Sequence, residues 1–168
     1  MKLSPDLVRK FSSIQLAVFD FDGVFTDNRV WINEKGEESV ACYRGDGIGL
    51  NYLKEKNIPI WVISSEINPV VKMRCEKLKI ECIHGCEKKL LEIKRINEAL
   101  DISRDQTMFV GNDVNDLECL AYVGLAVTVG DAHPDLNGLS QYQTYNPGGH
   151  GAVREVCDLL VTCKKVVG

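Results

Sequence analysis

Two aspartates, Asp20 and Asp22, stand two residues apart at the end of the apolar run Leu16–Phe21, and Gly23 follows them. Residues at this spacing in a strand lie on one side of it, about 6–7 Å apart at the backbone. Two neighbouring carboxylates repel each other unless a proton or a cation offsets the repulsion. Mg²⁺ prefers oxygen ligands and commonly accompanies phosphate. The pair therefore predicts a Mg²⁺ site, and a solvated turn carrying two acids is the alternative.

Polar residues also follow three later apolar runs. Ser64 and Ser65 end the run that begins at Pro59, and Lys89 follows the run Glu81–His84. After the run Thr107–Gly111 comes a loop rich in carboxylate and amide oxygens, formed by Asn112, Asp113, Asn115 and Asp116. Each feature has an ordinary alternative, because serine often forms turns, lysine is usually solvated, and Asn or Asp often caps helices. Their order at successive run ends predicts one shared site.

The elements that would position these residues alternate along the chain. Strands are predicted for six short apolar runs, Leu16–Phe21, Ile58–Ser64, Glu81–His84, Thr107–Gly111, Leu125–Val129 and Tyr142–Tyr145. Helices are predicted for five amphipathic stretches, Gly47–Lys56, Pro69–Leu78, Glu87–Ala99, Asn115–Tyr122 and Gly151–Lys164. Uniformly apolar strands suit a sheet covered on both faces. The pattern predicts an α/β fold with a doubly wound, mostly parallel sheet whose strands end at the ligand site.

One segment interrupts this alternation after the first strand. Val30–Ile32 and Val40–Cys42 flank a polar stretch that contains Gly36, which is typical of a β-hairpin. A hairpin inserted there would stand above the active end of the sheet. No insertion is long enough for a large cap domain, and no linker interrupts the chain. We therefore expect a single domain over residues 1–168.

Composition restricts the class of protein. The net charge of −4 argues against nucleic acid or an anionic membrane as the main partner. The N-terminal residues lack the apolar core of a signal peptide and no run could span a bilayer, so we expect a cytoplasmic protein. Seven scattered cysteines predict reduced thiols. Cys82, His84 and Cys86 could supply three zinc ligands, but structural zinc normally takes four.

The ordered set of acid pair, hydroxyl, lysine and acidic loop resembles the haloacid dehalogenase superfamily of phosphotransferases over essentially the whole chain. The resemblance implies that Asp20 is the nucleophile and Asp22 the general acid and base. It implies that Ser64 and Lys89 hold the phosphoryl oxygens. Mg²⁺ would be bound by Asp20, Asp22 and the loop residues Asn112, Asp113 and Asp116. Hydrolysis through an aspartyl-phosphate would divide the reaction into two easier steps.

Further motifs are similar to those of the 3-deoxy-manno-octulosonate 8-phosphate phosphatases, of the phosphatases of nine-carbon sugar acid 9-phosphates, and of domains linked to acylneuraminate cytidylyltransferases. These motifs are 22–27, 46–49, 131–134 and 148–155. The resemblance implies a phosphorylated sugar acid as substrate, with Thr26, Glu66 and Arg154 as substrate-binding residues. It also implies a homotetramer in which a neighbouring subunit's hairpin or tail helps to close the site.

Two residues depart from the pattern. The octulosonate phosphatases usually have Arg two residues after the motif-two hydroxyl, where this chain has Glu66; the nine-carbon branch can have Glu there. Glu66 thus favours a nonulosonate 9-phosphate over the octulosonate, while an exposed acid near a helix start is the structural alternative. The family usually has Asp where this chain has Asn112, which leaves one negative charge fewer at the metal.

Two other classes of protein are possible. One is a weakly active or inactive oligomerisation domain associated with a cytidylyltransferase, which Asn112 favours and the intact pair Asp20 and Asp22 opposes. The other is a response-regulator receiver, which needs a phosphorylated Asp at the end of its third strand. Here the corresponding strands end in Ser64 and His84, and a receiver has no place for the hairpin.

Overall fold

The apolar runs form one six-stranded sheet in the computed structural model, which describes residues 3–167. All neighbouring strands of this sheet are parallel, in the spatial order β5-β4-β1-β6-β7-β8. The strands are β1 (Leu16–Phe19), β4 (Ile60–Ile63), β5 (Glu81–Ile83), β6 (Thr107–Gly111), β7 (Leu125–Thr128) and β8 (Tyr142–Gln143). The predicted α/β class and parallel sheet are confirmed.

Helices cover both faces of the sheet. They are α1 (Pro5–Ser13), α2 (Arg44–Glu55), α3 (Val70–Leu78), α4 (Lys89–Leu100), α5 (Leu117–Tyr122) and α6 (Ala152–Val167). Ala17 and Phe19 of β1 join a core with α1, α2, α3 and α6, whereas Leu16 and Val18 join a core with α4 and α5. Because alternate residues of a strand point to opposite faces, β1 is buried throughout. This double burial explains its uniformly apolar sequence.

The predicted hairpin follows β1 and forms a separate two-stranded sheet. Its strands are β2 (Trp31–Ile32) and β3 (Glu38–Ser39), paired antiparallel. The second strand therefore precedes the predicted Val40–Cys42. Cys42 pairs instead with Thr26 in an isolated antiparallel bridge, so this segment closes the base of the hairpin. Among the described residues, no helix is long and apolar enough to cross a lipid bilayer.

The predicted helices α3 to α6 begin within two residues of their predicted starts, whereas α1 and α2 depart further from the prediction. The helix α1 was not predicted, although Ser4 caps it by accepting a hydrogen bond from the Leu7 N–H, and Pro5 occupies its first turn. The helix α2 begins at Arg44, three residues before the predicted start at Gly47. This added turn places Asp46 inside the helix, where it contacts α6.

Asp46 is fully buried between α2 and α6. Its Oδ1 accepts a hydrogen bond from the Arg154 N–H at the start of α6, at 3.1 Å, while its Oδ2 is buried without a partner among the described residues. Burial raises the pKa of this carboxyl to about 7, against smaller opposing effects of the Arg154 hydrogen bond and of the charges of Arg74 and Arg154. The hydrogen bond anchors α6 to α2, but burial destabilises the charged form of the Asp46 carboxyl that accepts it.

We predict that Asp46→Asn stabilises the protein at pH 8 by about 1 kcal/mol, or about 3 °C in Tm. A carboxyl whose pKa is raised on folding holds its proton more tightly in the folded state. It therefore lowers stability progressively as pH rises from about 3.8 to about 7. The asparagine Oδ1 keeps the Arg154 hydrogen bond. Melting curves should show the Tm of the variant rising relative to that of the wild type between pH 5 and 8. A difference in Tm that does not change with pH would contradict the raised pKa of Asp46.

Candidate active site

The strand order places the acid pair at the point where the sheet reverses its winding. From β1 the chain proceeds to β4 and β5 on one side, and then returns to β6 on the other side of β1. The connections that leave the carboxyl ends of β1 and β6 thus lead to opposite faces of the sheet and leave a crevice, which is where ligands bind in such sheets. A cavity of about 290 Å³ opens there, lined by Asp20, Asp22, Asn28, Ser64, Ser65 and the loop residues 112–115.

Asp20 lies in the floor of this cavity and is almost fully buried. Its Oδ1 accepts a hydrogen bond from the Phe21 N–H at 2.7 Å, and its Oδ2 pairs with Lys89 Nζ at 2.8 Å. Lys89 Nζ also contacts Asp116 Oδ1 at 2.9 Å. One buried cation thus joins two buried carboxylates that follow different strands. These two contacts fix the rotamer of Lys89 and hold its ammonium group against Asp20 Oδ2.

The charges in this group oppose one another. Burial, and then the charge of Asp116, raise the pKa of Asp20 to about 7, although the charge of Lys89 acts to lower it. Burial acts to lower the pKa of Lys89, but the charges of Asp20 and Asp116 outweigh it, and its pKa is raised. The group therefore holds more negative charge than Lys89 offsets, which suits the binding of a divalent cation.

Asp22 lies at the mouth of the cavity and is only partly buried. Burial, and then the charge of Glu66, raise its pKa, against a hydrogen bond from Thr26. A carboxyl with a raised pKa can keep its proton for a leaving group.

Thr26, expected to bind substrate, is instead fully buried and outside the cavity lining. Its Oγ1 accepts a hydrogen bond from the Gly23 N–H and reaches Asp22 Oδ1 at 3.4 Å, so it orders the loop.

Gly23 allows this loop to turn. Its φ is +74°, and a Cβ there would overlap the side chain of Asn112. A second close approach braces the loop from behind. Gly149 donates a hydrogen bond to the Val24 carbonyl at 3.1 Å, and a Cβ at Gly148 would overlap the Gly23 carbonyl. The loop that carries Asp22 is therefore held by a backbone segment more than 120 residues away in the sequence.

Ser64 follows β4 and lines the same cavity. Its Oγ accepts a hydrogen bond from the Glu66 N–H at 3.1 Å, which leaves its own proton available for a ligand oxygen. Glu66 lies outside the cavity lining, close enough to influence the pKa of Asp22. Its Oε1 accepts a hydrogen bond from the Asn68 N–H at 2.7 Å, so one oxygen of this carboxylate orders the turn before α3.

Some residues of the loop after β6 line the cavity, and another is buried beside it. Asn112 and Asp113 line the cavity, and Asp113 Oδ1 caps the 3₁₀ turn by accepting from the Val114 N–H. Asp116, expected among the metal ligands, is fully buried and does not line the cavity. Its Oδ1 contacts Lys89 and its Oδ2 accepts from the Asn112 N–H at 2.9 Å. Both oxygens are therefore engaged in positioning Lys89 and the loop.

Arg154, expected to bind substrate, lies in the N-terminal part of α6 and away from this cavity. Its Nε pairs with Asp158 at 2.8 Å, and its guanidinium stacks over Tyr52 at 5.2 Å from the ring centre. These partners are on α6 and α2, whose packing holds the side chain on the flank of the protein. Within one chain Arg154 therefore does not reach the acid pair.

The structure also places Asn28 in the cavity wall, a residue that the sequence pattern does not indicate. The only local signal was Asn after Asp27 in a polar turn, which is typical of any loop. A larger cavity of about 580 Å³ lies beside α3, but its lining contains Arg44, Arg74 and Lys77 and no carboxylate. The chemistry described above requires the acid pair together with Lys89 and the loop after β6, so the cavity at Asp20 is the candidate active site.

The comparison with known proteins agrees with this site. A family model described as haloacid dehalogenase-like hydrolase matches residues 73–155. Curated relatives match 95% of the chain at more than 30% identity. A doubly wound sheet with an acid pair, hydroxyl, lysine and acidic loop at its switch point is the architecture that the resemblance implied. The chain belongs to the haloacid dehalogenase-like hydrolases and is a phosphoric monoester hydrolase.

The relatives define a narrower group. A 3-deoxy-D-manno-octulosonate 8-phosphate phosphatase of Salmonella typhimurium is 37% identical over 160 residues, which cover 95% of this chain and 85% of the relative. The crystal structure of the Yersinia pestis phosphatase has a TM-score of 0.94 at 32% identity, covering 97% of this chain and 89% of that chain. The Moraxella catarrhalis phosphatase, in complex with magnesium, phosphate and KDO, has a TM-score of 0.93 at 30% identity, covering 97% and 94%.

Proposed function

We propose that this protein is a Mg²⁺-dependent phosphatase of sugar acid phosphates that works through an aspartyl-phosphate. The observation that carries the proposal is the buried contact between Asp20 and Lys89 at the floor of a cavity whose mouth holds Asp22. A nucleophilic carboxylate next to a fixed cation suits phosphoryl transfer, where spreading negative charge must be neutralised. The two carboxyls have different surroundings, which suits two different roles.

In this mechanism Asp20 attacks phosphorus and forms the covalent intermediate. Asp22 protonates the leaving oxygen, and its carboxylate then removes a proton from the water that hydrolyses the intermediate. Lys89 neutralises charge on the phosphoryl oxygens beside Asp20, and the Ser64 hydroxyl donates to another of these oxygens. Asp116 acts through Lys89 and is a positioning residue. Thr26 and the glycine segment at 148–149 hold the Asp22 loop in place.

The donor set fits Mg²⁺, because the described residues that line the cavity offer carboxylate, amide and hydroxyl oxygens and no thiol or imidazole. Asp20, Asn112 and Asp113 would hold the ion, together with the Asp22 backbone carbonyl that the family resemblance implies. When bound, Mg²⁺ would neutralise phosphate charge and orient the ester. The two buried carboxylates of Asp20 and Asp116 face the single charge of Lys89, which supports this assignment.

We predict that Asn112→Asp tightens Mg²⁺ binding about ten-fold, because it adds one negative charge to the ligand set. The Asn112 backbone N–H keeps its hydrogen bond to Asp116 in this variant. Calorimetric titration with Mg²⁺ and the Mg²⁺ dependence of phosphate release should both move to lower concentration. Unchanged titrations would place Asn112 outside the metal shell. Val114→Ala, an apolar change in the same cavity wall, provides the matched control.

Two observations support different substrates within this class. The named relatives act on 3-deoxy-D-manno-octulosonate 8-phosphate, which makes the eight-carbon ester the first candidate for this chain. Glu66 favours a nonulosonate 9-phosphate, because the nine-carbon branch of the family can have Glu at this position and a carboxylate can accept hydrogen bonds from hydroxyl or amino groups. The hydrogen bond from Asn68 leaves Glu66 Oε2 for such a contact.

We further propose a cytoplasmic homotetramer. The hairpin presents Val30, Trp31 and Ile32 to solvent, with Trp31 70% exposed. Adjacent exposed apolar residues of this kind are typical of a surface covered by another chain. No large cap covers the cavity within residues 3–167, so a neighbouring subunit would be needed to exclude water. Sedimentation velocity would test the state of assembly.

The decisive experiment is phosphate release from a panel of sugar acid phosphates that covers the octulosonate 8-phosphate and nonulosonate 9-phosphates. Mg²⁺-dependent release from the eight-carbon ester would support the activity of the relatives. A preference for nine carbons would support the role of Glu66, and Glu66→Gln should then reduce that preference. No release by folded protein from any ester would favour the non-catalytic assembly domain.

A further inference from the structure

Asn28 lies in the wall of the active-site cavity with a backbone conformation that most side chains avoid. Its φ is +63°, in the left-handed region. Asparagine tolerates this region better than most residues, but glycine occupies it at lower cost. The residue shares the cavity with Asp20 and Asp22.

The other positive-φ residues with side chains have an ordinary structural reason for that conformation. Within residues 3–167 they are Asn57, Lys79 and Asp101. Lys79 and Asp101 are the C-caps of α3 and α4, and Asn57 follows the C-cap of α2. A left-handed residue commonly ends a helix, because it satisfies the last carbonyls. Asn28 ends no helix, since it lies between β1 and the hairpin.

The backbone of Asn28 is fixed, and its side chain has no hydrogen-bond partner in the described part of the chain. The Asn28 N–H donates to Thr26 Oγ1 at 3.3 Å, and Thr26 bridges to Cys42 at the base of the hairpin. The amide group thus offers two donors and one acceptor at the cavity wall. Asn28 is exposed at the cavity wall on a fixed backbone, so its amide group is available to a ligand.

Its position indicates which part of the substrate it contacts. Thr26 Oγ1 contacts both the Asn28 N–H and Asp22 Oδ1, so Asn28 stands next to the carboxyl that faces the leaving oxygen. In the proposed mechanism Ser64 and Lys89 hold the phosphoryl oxygens, so the leaving alcohol is on the side of Asp22 and Asn28.

We propose that Asn28 determines specificity by binding, through its side-chain amide, the hydroxyl groups of the leaving alcohol next to the ester. This inference rests on the proposed phosphatase function and adds a residue to it. A neutral amide suits this place because Asp20, Asp22 and Asp113 already supply negative charge. It can donate to and accept from a polyol without repelling a phosphate or a carboxylate.

Two variants separate the amide from the backbone conformation. Asn28→Gly removes the side chain and relieves the positive φ, whereas Asn28→Ala removes the amide and adds strain. Each protein would be assayed with octulosonate 8-phosphate and nonulosonate 9-phosphates, and with phenyl phosphate, whose leaving group has no further hydroxyl. We expect both variants to lose about ten-fold in kcat/KM on the best sugar acid ester, the effect of one lost hydrogen bond, and less than about two-fold on phenyl phosphate.

Thermal melting provides the structural control. Asn28→Gly should unfold at or above the wild-type temperature and Asn28→Ala below it, so equal losses of activity would assign the effect to the amide. An Asn28→Gly variant with undiminished kcat/KM on the sugar acid ester, or with equal losses on both kinds of ester, would overturn the inference while leaving the phosphatase function intact. Wild-type protein that cleaves phenyl phosphate but no sugar acid phosphate would overturn both proposals.

Discussion

Replacing Asp20 with asparagine should reduce phosphate release by about 10³-fold or more while the protein remains folded. The amide is nearly isosteric with the carboxylate, but it cannot attack phosphorus. Its oxygen can keep either the hydrogen bond from Phe21 or the contact with Lys89. Burial and Asp116 raise the pKa of Asp20 to about 7 without metal, so a neutral side chain suits this place. In metal-free protein at pH 8 we therefore expect a Tm equal to or above that of the wild type.

The matched control is Asp27→Asn, because Asp27 follows in the same loop, outside the cavity lining. It should retain activity. Single-turnover assays with ³²P-labelled ester should trap a covalent phosphoprotein in the wild type and none in Asp20→Asn. Appreciable turnover by Asp20→Asn, with asparagine confirmed by mass spectrometry, would exclude Asp20 as the nucleophile.

Replacing Lys89 with methionine should damage both activity and stability. Methionine fills the space of the stem but leaves Asp20 and Asp116 buried without a counter-charge. Breaking a buried pair in this way costs about 3–5 kcal/mol, or about 10 °C in Tm for a domain of this size. Loss of the charge beside the phosphoryl group should lower kcat by about 10²-fold or more. Activity and melting temperature should therefore be measured on the same preparation, with Mg²⁺ removed for melting.

A second substitution separates the two effects. Adding Asp116→Asn to Lys89→Met removes one of the uncompensated carboxylates and keeps an oxygen for the Asn112 N–H. The double variant should regain part of the lost Tm and none of the lost activity. The neighbouring exposed Lys88, changed to methionine, should behave as the wild type. If Lys89→Met melted at the wild-type temperature, the buried ion group would not hold the site together.

The sequence predicted the sheet well, because its strands are short apolar runs buried on both faces. The run Thr107–Gly111 forms β6 with identical bounds, and Leu125–Val129 forms β7 to within one residue. The helix α1 went unpredicted because its cap signal, Ser4 before Pro5, precedes a helix of only nine residues. The second hairpin strand lies earlier than predicted because Cys42 bridges to Thr26, a pairing that local pattern does not encode.

The site was less accessible to sequence reasoning than the fold. Strand ends predicted that Asp20, Lys89 and Asp116 would converge, but not that Asp116 would hold Lys89 and lie outside the cavity lining. That arrangement depends on the directions of the Lys89 and Asp116 side chains, which are 27 residues apart in the sequence. Arg154 belongs to a family motif, but its position on α6 directs its side chain to Asp158. Asn28 became visible only through its φ and its place in the cavity wall.

The close packing of Gly148 and Gly149 against the loop from Gly23 to Thr26 has a consequence for how this enzyme can diverge. Any side chain at 148 would displace the loop that carries Asp22, so the two segments can change only together. Related sequences should therefore show correlated replacement across this contact, even though it joins opposite ends of the chain. Laboratory evolution towards new substrates should accumulate its changes around Asn28, Ser65 and the hairpin, and leave the glycine contact untouched.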